Sequence, residues 1–143
     1  MRRVGYLTII GALAVSVMGC AGTPRTSRTA VIQDVNIGES LAPTEIVVQT
    51  GDEIRWVNVR KQEVSIEIPN LKSGDLACER GFSGWMGGVR EDVELEPNQT
   101  ASLCFKKPGS FPYNVRAETA VSGGKKILPG TIRITPAPAA GTN

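Results

Sequence analysis

The 143-residue chain contains no histidine. Without imidazole it has no Ser-His-Asp or Cys-His catalytic arrangement, no histidine-ligated zinc, haem or blue-copper site, and no side chain whose unperturbed pKa lies near neutrality. It also lacks a charge excess of its own. Lys and Arg number 16 against 14 Asp and Glu, and the surplus is Arg2 and Arg3; from Cys20 onward the two signs balance. Arg60-Lys61, Lys106-Lys107 and Lys125-Lys126 are isolated basic pairs separated by acidic residues. They offer none of the clustered cation needed to displace counterions, which argues against a nucleic-acid partner. Aromatic residues are only 5% of the chain; of these, Trp56, Phe105, Phe111 and Tyr113 are expected in the core. Beyond residue 20 no segment of ten or more residues keeps a capped helical period. The length suits one domain, which should bury roughly two-thirds of its unfolded surface.

The first 20 residues, MRRVGYLTIIGALAVSVMGC, carry two arginines and then an apolar stretch over 7–17. That stretch falls short of the roughly 20 residues that cross a bilayer and has the form of a secretory signal. Its end, Val17, Met18, Gly19, Cys20, resembles a bacterial lipobox, with an ordinary signal peptide ending near a cysteine as the alternative. The resemblance implies cleavage after residue 19 and acylation of Cys20 on its thiol and amino group. Several acyl chains anchor far more firmly than one. Ala21, standing where lipoproteins retained in the inner membrane commonly have Asp, implies sorting to the periplasmic face of the outer membrane. Residues 20–29 then read as a lipidated N-terminus with a flexible tether, and 136–143 as a disordered tail.

The folded unit is expected over 30–135. Short apolar runs predict strands at 30–35, 44–49, 53–59, 63–68, 92–95, 100–106, 110–116 and 131–135. Val64, Ile66 and Ile68 alternate with Ser65 and Glu67, and Ala101, Leu103 and Phe105 with Ser102, Cys104 and Lys106. Period two of this kind leaves one buried face and one wet or separately covered face. Turn residues separate the runs: Thr50-Gly51-Asp52, Pro97-Asn98-Gln99 and Lys107-Pro108-Gly109. About eight such strands predict an all-β, antiparallel Greek-key sandwich.

Three stretches resemble the cupredoxin family in order and spacing. EIVVQTGDEIRWVNV (45–59) is similar to its strand, Gly-Asp turn and V-x-W-x-N strand. TASLCFKKPGSFPYNV (100–115) is similar to its aromatic strand, Pro-Gly turn and aromatic-x-Tyr strand, and LPGTIRI (128–134) to its closing strand. The resemblance implies a cupredoxin-like fold and, in the family, a copper ion held by two imidazoles, a thiolate and a thioether. The corresponding positions here hold Gln62 and Glu63 for the first histidine, Val115 for the cysteine, Glu118 for the second histidine and Leu128 for the methionine. All four depart from the pattern, so type 1 copper chemistry is not expected.

An exported chain meets an oxidising compartment, where Cys78 and Cys104 are expected to form a disulfide. A reduced Cys78, Cys104 and Met86 set holding Cu(I) is the alternative. With Leu103 and Phe105 facing inward, Cys104 points outward, and the disulfide should draw an inserted loop over 69–91 across the outer surface of its sheet. That loop carries Gly74, Gly81, Gly84, Gly87 and Gly88 and the cluster Phe82, Trp85 and Met86. Such residues commonly anchor interfaces, and they equally suit a satellite core beneath the loop. The acidic run Glu91, Asp92, Glu94, Glu96 lacks calcium-loop spacing and reads as a solvated strand edge. Glu63, Glu67, Asp75 and Glu79 suggest no glycosidase pair in so small a domain.

The reading at this level is a lipid-anchored, non-enzymatic binding or scaffolding module of the periplasm, without cofactor. Its expected contacts are the membrane through Cys20 and an envelope protein or ligand through Phe82, Trp85 and Met86. Metal handling by Cys78, Cys104 and Met86 is the alternative function.

Overall fold

The structure is a computed structural model and describes residues 31–119 and 123–138. The signal segment 1–19, the acylation candidate Cys20, the tether to residue 29 and the end of the tail from residue 139 lie outside the described residues. Ten strands follow one another: β1 (Ile32–Ile37), β2 (Leu41–Ala42), β3 (Glu45–Gln49), β4 (Glu53–Asn58), β5 (Val64–Glu67), β6 (Leu76–Arg80), β7 (Asp92–Leu95), β8 (Thr100–Phe105), β9 (Gly109–Glu118) and β10 (Lys125–Thr135). A 3-10 turn, Ser73–Asp75, precedes β6. Among the described residues no helix is long and apolar enough to cross a membrane.

The strands form two five-stranded sheets, ordered β2-β1-β4-β8-β6 and β3-β10-β9-β5-β7. Alternation decides which side chains meet between them. In β4, Ile54, Trp56 and Asn58 point inward while Glu53, Arg55 and Val57 do not. The neighbouring strands β1 and β8 add Val35 and Leu103, and the facing sheet contributes Ile66, Val115 and Ile132, all fully buried. Trp56 sits in the middle, with edge-on contacts to Tyr113 at 5.6 Å and Phe82 at 5.8 Å between ring centres. Phe105 is buried and Phe111 half-buried against it at 4.3 Å.

The all-β sandwich agrees with the sequence, but the expectation of purely antiparallel sheets is corrected. β1 runs parallel to β4, and β3 parallel to β10. The cause is the change of sheet after β2. Residues 43–44 carry the chain across, so β3 and β4 each land beside a strand of their own direction instead of their sequence neighbour. Two further strands, β2 and β6, bring the count to ten.

Residues 69–91 also differ from the expected loop. Their middle, β6, joins β8 as the edge strand of the first sheet, with Cys78 directly opposite Cys104. The two cysteines form the expected disulfide, with Cα atoms 4.8 Å apart. Cys104 does lie on the opposite face of β8 from Leu103, as alternation requires. Its partner, however, comes alongside in the same sheet rather than over it, so nothing is drawn across the outer surface. The segment 81–91 then crosses from β6, the edge of one sheet, to β7, the edge of the other, and closes that flank of the sandwich.

Candidate functional site

Two regions bear on function: the end of the sandwich that holds the family's ligand positions, and the flank closed by residues 81–91.

At the first, Val115 and Leu128 stand opposite one another in the β9–β10 ladder, and Val115 also pairs with Ile66. Val115 is fully buried and Leu128 nearly so. Where cupredoxins place a thiolate and a thioether, this chain therefore packs aliphatic carbon, which cannot bind a cation. Asn58, buried at the end of β4, donates through Nδ2 to the carbonyls of Gln62 and Leu95, both at 2.9 Å, and its Oδ1 accepts the Arg60 N–H at 2.9 Å. All its polar atoms are satisfied, and the turn bearing Gln62 and Glu63 hangs from it.

Glu63 and Glu118 line one depression of about 230 Å³, together with Ser65, Glu94, Arg116 and Lys125. Loss of hydration pushes the Glu63 carboxyl above its ordinary value, and the nearby Glu94, Glu96 and Glu118 push it further. Arg116 is committed to a salt bridge with Glu67. No group of three or more acidic, cysteine or histidine side chains suited to a metal occurs among the described residues. The four carboxylates considered for glycoside hydrolysis are not brought together. Glu63 and Glu67 flank or lie in β5 of one sheet, whereas Asp75, bonded to Lys107, and Glu79, bonded to Ser83, belong to the edge of the other.

Arg60 was not expected to matter. Its side chain is only 7% exposed, and its guanidinium donates to the Gly38 carbonyl at 3.0 Å, to Glu39 at 2.8 Å and to the Glu118 carbonyl at 2.7 Å. It ties the turn after β1 to the end of β9. A single arginine following a strand carries no signal of such a role. Asn58 was foreseeable, because period two from Ile54 and Trp56 aims it inward.

Deeper in, the Trp56 indole N–H faces the Tyr113 hydroxyl, but neither atom closes a hydrogen bond of ordinary geometry among the described residues. Burial pushes the Tyr113 hydroxyl above its usual pKa, and the indole pulls it partly back. Tyr113 lies over Gly130, where a Cβ would come within 2.2 Å of its ring.

At the flank, the expected trio divides. Gly81 has φ +90°, and a Cβ there would meet the Ala101 methyl at 3.0 Å, so the chain passes close against β8 and turns inward. Phe82 follows into the core with no exposed surface. It packs on Trp56 and is no contact for a partner. Ser83 then bridges to Val89, the Gly84 N–H donates to the Gly88 carbonyl at 2.6 Å, and the Arg90 N–H to the Phe82 carbonyl at 2.7 Å. A small hairpin results, pinned further by the Val89 N–H on Ser73 Oγ and by Ser83 Oγ on Glu79. At its tip Trp85 is 96% and Met86 83% exposed. The three residues were grouped by composition. Only the register of the bridge shows that one points in and two point out.

No protein-family model matches the chain. Among solved structures it is similar to a methionine-to-alanine variant of amicyanin in the Cu(I) form, with 18% identity, TM-score 0.47, and coverage of 74% of this chain and 82% of that one. It is also similar to a proline-to-glycine variant of amicyanin in its reduced Cu(I) form, with 16% identity, TM-score 0.48, and coverage of 78% and 87%. The likeness is one of fold.

Proposed function

We propose that the chain is a lipid-anchored binding module of the bacterial envelope, held at the periplasmic face of the outer membrane through Cys20. It uses a cupredoxin-like sandwich as a rigid stand for the 83–89 hairpin and performs no catalysis. The observation that carries this reading is the exposure of Trp85 and Met86, 96% and 83%, on a hairpin whose base is hydrogen-bonded on both sides. A large aromatic held almost wholly in water on an ordered support is costly unless it is buried in a contact. The apolar filling at Val115 and Leu128 speaks against an electron-carrying copper site. Copper handling by Cys78, Cys104 and Met86 gains no support, because the two sulfurs are bonded to each other.

A photo-reactive amino acid placed at residue 85 should form adducts with an envelope component in intact cells, and one placed at the exposed Glu39 should not. Absence of any adduct from residue 85 overturns the contact reading. Labelling with palmitate should mark the wild type and not Cys20→Ala; equal labelling overturns the anchor.

A further inference from the structure

We propose that the surface Trp85 and Met86 engage is the phospholipid bilayer itself, with the indole and thioether entering the interface while Lys72, Lys106 and Lys107 meet lipid phosphates. This rests on the binding-module reading and names its partner.

Three observations lead there. The first is the tip itself. From residue 82 to 89 the sequence FSGWMGGV has no charge, and glycines at 84, 87 and 88 leave Trp85 and Met86 as its only large exposed side chains. Two side chains on a narrow hairpin present far less than the roughly 800 Å² per partner that a stable protein interface needs. A bilayer asks for no matching relief, and an indole has its preferred place at the headgroup boundary.

The second is charge. Leu76, which opens β6, lies opposite Phe105, which closes β8, and Ile32, which opens β1, lies opposite Glu53. These pairs mark one end of the sandwich. The hairpin is bonded to that end through Ser73, and Lys72, Lys106 and Lys107 lie exposed in its turns. Acidic groups share that end and keep their charge, Glu53 among them, so the end carries no net positive charge and the lysines act as single contacts. Asp75 lies 3.7 Å from Lys107, Asp52 accepts the N–H groups of Val31 and Gln49, and Glu91 accepts that of Asn70. Lys72 and Lys106, exposed beside an apolar tip, can each meet a lipid phosphate as the tip enters the interface.

The third is reach. The chain before β1 emerges at this same end. Ten residues separate Cys20 from Val31 and span at most about 35 Å when extended. β1 and β6 are separated by two intervening strands, a lateral distance of about 15 Å. An anchor at Cys20 therefore leaves the hairpin within reach of the membrane that carries it. A weak second contact then acts at high effective concentration.

The test uses the chain from residue 20 with Cys20→Ser, which keeps all ten strands and removes the lipid. Vesicles of phosphatidylethanolamine with phosphatidylglycerol are added, and tryptophan emission is followed together with iodide quenching. Trp56 is fully buried, out of reach of iodide and lipid, so it adds a constant background and the changes come from Trp85. The expected result is a blue shift and loss of quenching, both absent in Trp85→Phe. Co-sedimentation of Trp85→Ala with the vesicles should weaken about tenfold. Replacing the three lysines by glutamine should weaken binding to phosphatidylglycerol vesicles and leave binding to neutral phosphatidylcholine vesicles unchanged. Melting temperatures equal to the parent's show that the variants are folded. No emission change at any lipid concentration, or equal sedimentation of Trp85→Ala, overturns the proposal. Protein adducts from residue 85 in cells combined with no vesicle response likewise overturn it, while leaving the binding module intact.

Discussion

Phe82 and Trp85 stand three residues apart and at opposite extremes of exposure, the first closed against Trp56 and the second almost entirely in water. One anchors the hairpin and the other is what it presents.

Their substitution should separate accordingly. Phe82→Ala opens a cavity beside Trp56 and is expected to cost about 3–5 kcal/mol. Trp85→Ala should stay within about 0.5 kcal/mol of the parent, as for surface positions generally. Urea unfolding measures both. Equal losses at the two sites would return Trp85 to the core.

The disulfide joins residues 26 apart in sequence. In the chain-entropy account its removal costs about 3.5 kcal/mol. Cys78→Ser combined with Cys104→Ser should therefore lower the unfolding midpoint, as should reductant added to the parent. The change should release β6 first, since it is an edge strand whose register shifts between Leu76 and Cys78. Hydrogen exchange should show β6 losing protection ahead of β4 and β8.

Acidity should act in opposite directions at two carboxylates. Lost hydration and like-charged neighbours raise Glu63 in the folded state. Its contribution to stability is thus present in acid and lost as pH rises through the folded value. Glu63→Gln should raise the melting temperature at neutral pH, and the gain should vanish in acid. Asp34 is lowered by its hydrogen bonds to Arg55, at 2.7 and 2.9 Å. Its contribution is present above the unfolded value and lost as pH falls through the folded one. Asp34→Asn should cost stability at neutral pH and converge with the parent in strong acid. Thermal melts across pH distinguish the two; parallel curves would contradict both assignments.

Added copper should produce no intense visible band. The thiolate that would give it is replaced by Val115, packed against Leu128 and Ile66. A strong band on titration with Cu(II) would show that other residues had built the site.

Central strands were the most legible part of the sequence. β4, β5 and β8 announce themselves because one face of each is apolar at period two. β6 was missed for the converse reason. Of its five residues only Leu76 is buried, so no apolar alternation marks it. β2 is two residues long and shows no period. The first rungs of β10 carry Lys125 and Lys126 and pair with the end of β9 beyond the apolar core. Parallel pairing was hidden because local patterns describe strands and not the neighbours they find. At the hairpin, composition singled out Phe82, Trp85 and Met86 within 69–91, but the inward turn at Gly81 that buries the first of them depends on Ala101 and Val93, which are remote in sequence.

The parallel pairing of β1 with β4 has a mechanical consequence. Six successive rungs join Ile32–Ile37 to Glu53–Asn58, and β2 flanks β1 on its other side. A pull on Ile32 along the axis of β1 loads those rungs together in shear, whereas a pull across it would open them one after another. Tension along β1 is thus shared by six rungs at once.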